Sequence, residues 1–156
     1  MGVYLHYESD TDLDRRSFED AGKQWMVSVK RIGHCVKIPF LLGIDPSPFL
    51  EVLGCDPKRI SKLEYDIPVR ARYNETIPTP DVERLLEYCV ESLRAIAEAV
   101  DLERVRALSD EVPGCEHSRD YLDHFEYDAW RAFGRLRSIC TMCRNALNAE
   151  IGLRTA

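Results

Sequence analysis

Hydrophobic positions along the chain change period several times, and each change predicts an element. V-Y-L-H-Y places Val3, Leu5 and Tyr7 on one side, the two-residue period of a short strand. From Ser17 to Gly33 the period is helical. Ser17 and Asp20 form an S-x-x-D capping pair, Phe18, Ala21, Trp25, Val29 and Ile32 share a face, and Gly33 can close the last turn. V-K-I-P-F then alternates like a strand over 36–41, at a sheet edge because Pro39 has no N–H for a ladder. A third alternating run, Y-D-I-P-V-R-A-R-Y at 65–73, sets Tyr65, Ile67, Val69, Ala71 and Tyr73 on one face and Arg70 and Arg72 on the other.

Between the second and third runs the chain repeats itself. L-G-I-D-P-S-P-F at 42–49 is echoed by L-G-C-D-P-K-R-I at 53–60. The repeat is punctuation: Gly43 and Gly54 suit left-handed turns, Asp45 and Asp56 suit caps, and Pro46 and Pro57 suit first helical positions. Short helices are expected near Phe49–Leu53 and Lys58–Lys62. Their spacing resembles a helix-turn-helix, but both are too short for a recognition helix and its support.

The second half is helical. N-E-T-I-P-T-P reads as a linker, after which Thr79 caps a helix that begins with Pro80. That helix carries Val82, Leu85, Leu86, Cys89, Val90, Leu93, Ile96, Ala97 and Val100 on one wide stripe. Asp101 restarts a short helix through Leu108. A last helix is expected from about Ser118 to Glu150, with Leu122, Phe125, Ala129, Ala132, Leu136, Ile139, Cys143 and Ala146 in steps of three and four. The register runs through Gly134, which argues for one helix over two.

The expected fold is therefore α+β and predominantly helical, a single domain over 1–156. A small antiparallel sheet from the N-terminal half (1–75), with strands near 3–7, 36–41 and 65–73, packs with a C-terminal layer of long helices (79–151). A length of 156 residues, 45% hydrophobic and 31% charged, is ordinary for one globular core.

Charge narrows the partners. The net charge of -6 gives no general attraction to phosphate backbones or anionic membranes. Residues 30–72 nevertheless carry eight Lys or Arg against five acids, and 110–128 carry seven acids against Arg119. Lys58, Arg59, Lys62, Arg70 and Arg72, with Arg131 and Arg135 on the last helix, are the candidate interaction residues. Asp56, Glu64 and Asp66 interleave the basic stretch, so an acidic protein surface suits it better than nucleic acid. The N-terminus has neither the basic nor the apolar region of a signal peptide, and His6 stands where a myristoylation motif wants Ser or Thr. A cytoplasmic protein with no membrane span and six reduced cysteines is expected.

Candidate chemistry centres on S-I-C-T-M-C-R-N. Cys140 and Cys143 are spaced like half a zinc site, but four ligands are needed. Cys115 and His117 lie too far along the chain to complete it. A fold-back at Gly134 would bring His124 and Asp128 toward the pair, a set of uncommon composition, and two chains packed antiparallel could also assemble a site. A redox C-x-x-C needs a lowered thiol pKa, normally from a helix N-terminus, whereas Cys140 lies deep in its helix. Two core thiols on an apolar stripe is the simpler reading. Asp10, Asp12 and Asp14 imitate a calcium loop, but Arg15 and Ala21 stand where glycine and glutamate are required. No phosphate-binding, dinucleotide, nucleophile-elbow or zincin signature occurs.

The functional expectation is a small non-enzymatic interaction protein, an adaptor, inhibitor or regulatory subunit, with a protein partner that includes a second copy of itself and with no cofactor. The alternatives are a metal-binding regulatory domain using Cys140, Cys143 and His124 or Asp128, with zinc, and an enzyme whose site gathers His34, His124, Asp128 and arginines from separate segments.

Overall fold

The computed structural model describes residues 4–8, 27–28, 32–54, 76–101, 103 and 124–155. In chain order these form β1 (Tyr4–Tyr7), β2 (Val27–Ser28), α1 (Ile32–Leu41), α2 (Ser47–Val52), β3 (Thr76–Ile77), α3 (Thr79–Ala99), α4 (His124–Asn148) and β4 (Leu153–Thr155). The fold is α+β and predominantly helical, with a small antiparallel sheet.

The sheet differs in make-up from the expectation. Its order is β2-β1-β4-β3, so the chain's two ends form the centre. β1 is where the alternation placed it, pairing Leu5 with Thr155 and Tyr7 with Leu153. β4 was not anticipated; its three residues read buried, exposed, buried. Thr76–Ile77, expected as linker, is β3, with Ile77 buried beside Leu153. Gly152 is required here. A Cβ on it would lie 2.5 Å from the Ile77 carbonyl oxygen. Its N–H donates to Glu8 Oε2 at 3.0 Å and its carbonyl accepts from Glu8 N–H at 3.1 Å.

Two expectations fail in the N-terminal half. The helix expected over 17–33 does not extend through 27–28, which pair with β1 as Leu5↔Val27 and Tyr4↔Ser28. Val27-Ser28-Val29-Lys30 alternates as a strand does, and that local pattern wins there. The strand expected at 36–41 is helix α1, with Pro39 inside it. The reason is legible in burial: Cys35, Val36 and Ile38 are buried with Pro39, while Phe40 is 45% exposed. A strand would have buried Phe40 alongside Val36 and Ile38; a helix buries 35, 36, 38 and 39 together. Pro39 costs α1 the bond its N–H would make to the Cys35 carbonyl, and the helix ends two residues later. Ile32 and Gly33, expected to end the helix over 17–33, instead open α1. Residues 17–26 and 29–31, the helices at 58–62 and 102–108 apart from Glu103, the strand at 65–73 and residues 118–123 lie outside the described residues.

The glycine punctuation holds. Gly43 has φ +82 and Gly54 φ +70. At the end of α1, Gly43 N–H bonds Phe40 O at 2.9 Å and Ile44 N–H bonds Pro39 O at 2.9 Å, a Schellman closure. Pro46, expected at the first helical position of α2, is the residue that precedes it, with helical dihedrals (φ -79, ψ -7) and no side-chain cap; Asp45 lies one residue further out, its Oδ1 accepting from Ser47 N–H at 2.9 Å. That amide holds the Asp45 carboxyl below the usual carboxylate range. Asp101 Oδ1 likewise accepts from Glu103 N–H at 3.0 Å. At α3 the expected cap moves by one: Pro78 precedes the helix, Thr79 opens it, and no side chain caps it.

α3 and α4 are the main bodies. Val82, Leu85, Tyr88, Cys89, Ser92 and Ile96 of α3 are buried, as are Ala129, Ala132, Leu136, Ile139, Cys140, Met142, Cys143 and Ala146 of α4. α3 packs along α4, and α1 packs against both, while α2 seats on α3. Phe49 of α2 stacks on Tyr88 with ring centroids 4.9 Å apart. Outside that contact, Arg84 of α3 meets Glu51 at 3.4 Å and Asp81 at 3.2 Å, exposed pairs that add little stability. α4 ends in a second Schellman closure, Glu150 N–H to Leu147 O and Ile151 N–H to Ala146 O, with Glu150 itself at φ 56. Asn145 Nδ2 donates to the Tyr7 hydroxyl at 3.1 Å, tying α4 to β1.

α4 is continuous through Gly134, and a Cβ there would meet nothing within 4 Å. Glycine inside a helix costs conformational entropy that alanine does not. Gly134→Ala is therefore expected to stabilise the fold by about 0.5–1 kcal/mol. Urea denaturation checks it; a destabilised variant would show that residue 134 is not in open helical backbone.

Candidate functional site

The helix packing gathers thiols. Cys35 of α1, Cys89 of α3, and Cys140 and Cys143 of α4 are all buried and all free. Each sits on the inward face of its own helix, and α1, α3 and α4 are mutual neighbours, so the four are directed to one region of the core. Cys89 and Cys140, on facing helices, are in electrostatic contact, each thiol altering the other's titration.

That contact separates the four thiols chemically. Burial pushes Cys35 up to about 11, with Arg135 opposing. Burial also raises Cys89 well above its ordinary value, and the Cys140 thiol adds to this. Cys143 is raised by burial and by the adjacent Cys140. Cys140 alone moves down: the Cys89 thiol and the charge of Arg144 one turn along outweigh the cost of burial. Cys140 also keeps 4% of its surface exposed, against 1% for Cys35 and 0% for Cys89 and Cys143.

Two buried hydroxyls lie on α3 beside Cys89. Among the described residues, Tyr88 Oη and Ser92 Oγ, one turn apart, have no hydrogen-bond partner. Burial raises the Tyr88 phenol well above its ordinary range, and the nearby Ser92 hydroxyl opposes this.

The sequence-derived site residues are not brought together. A continuous α4 places His124 roughly 24 Å and Asp128 roughly 18 Å along the axis from Cys140, so the fold-back that would join them to the thiol pair does not exist. Among the described residues, no group of three or more His, Cys, Asp or Glu side chains is arranged to hold a metal ion. Arg131 and Arg135 are half-buried and engaged within the chain, Arg135 toward Cys35. Lys58, Arg59, Lys62, Arg70 and Arg72 lie outside the described residues, as do Cys115 and His117. His34 lies in α1, remote in sequence from His124 and Asp128 in α4.

Sequence reasoning missed the Cys89–Cys140 contact. Both cysteines were legible as core positions on separate helices, and only the rotation and order of α3 and α4 join them. The exposed apolar pair Phe40 and Leu41, at 45% and 57%, was hidden by reading α1 as a strand. Among the described residues no helix is long and apolar enough to cross a membrane. Comparison with protein families, with known proteins and with solved structures gives no match.

Proposed function

We infer that the chain is a non-enzymatic interaction protein, an adaptor, inhibitor or regulatory subunit, that associates with a second copy of itself. The inward stripe of α4 is spent within the chain against α3 and α1. The support comes instead from the end of α1. Phe40 and Leu41 are adjacent and are the exposed large hydrophobic side chains of the described chain. The tight closure at Gly43 fixes them in place, so little order is lost on docking. An aromatic-aliphatic pair is complementary to itself across a two-fold axis, the symmetry most homodimers use. Burying a large aromatic anchor is also how interfaces concentrate their energy.

Replacing Phe40 and Leu41 together by aspartate places like charges against each other across such an axis. The double variant is expected to sediment as a folded monomer, because neither side chain belongs to the core, with a melting temperature that no longer depends on concentration. Unaltered self-association would put the contact elsewhere on the molecule.

A further inference from the structure

We draw no further inference here: the strongest candidate, the pair of buried hydroxyls of Tyr88 and Ser92 on the inward face of α3, carries nothing, because the two lie one turn apart on the same helix and nothing among the described residues shows what ligand would reach them.

Discussion

Phe49→Ala is expected to lower the unfolding free energy by about 3–5 kcal/mol, with a fall in melting temperature of roughly 10 °C. Phe49 has no exposed surface and stacks on Tyr88, so truncation removes the aromatic contact and opens a cavity between α2 and α3. α2 has six residues and cannot hold itself together; it is helical because Asp45 and Pro46 start it, Gly54 ends it, and Phe49 and Leu50 seat it. Phe49→Leu keeps most of the volume and is expected to cost less than half as much. Urea titrations of both variants check the pair. A loss below about 1 kcal/mol for the alanine would mean that α2 is not seated on α3 at all.

The second large effect is in the core between the long helices. Leu136 has no exposed surface, on the face of α4 that packs on α3 and α1, so Leu136→Ala is expected to cost about 2–5 kcal/mol. Urea denaturation checks it. A loss below about 1 kcal/mol would mean that this face of α4 does not meet the core.

How much of this was legible depended on whether a signal was local. α3 announced itself through its stripe, and the inward positions of α4 from Ala129 to Ala146 were readable through Gly134 because one period fits them all. Gly43, Asp45 and Gly54 act through their own backbone, and they behave as their residue types dictate. The segment of α1 is ambiguous in sequence: Val36, Ile38 and Phe40 satisfy a strand while Cys35, Val36, Ile38 and Pro39 satisfy a helix, and the deciding fact is that Phe40 faces out. β3 and β4 span two and three residues, too few to show a period. They exist because Leu153 meets Tyr7 on one side and Ile77 on the other. The thiol site is the least local feature. C-x-x-C drew attention to the partner nearest in sequence, while the partner in space lies on α3.

Light scattering of the unmodified chain over a dilution series reads self-association without any variant. The mass is expected to rise with concentration from 18.0 kDa toward twice that value. A mass that stays at 18.0 kDa at every concentration would contradict it.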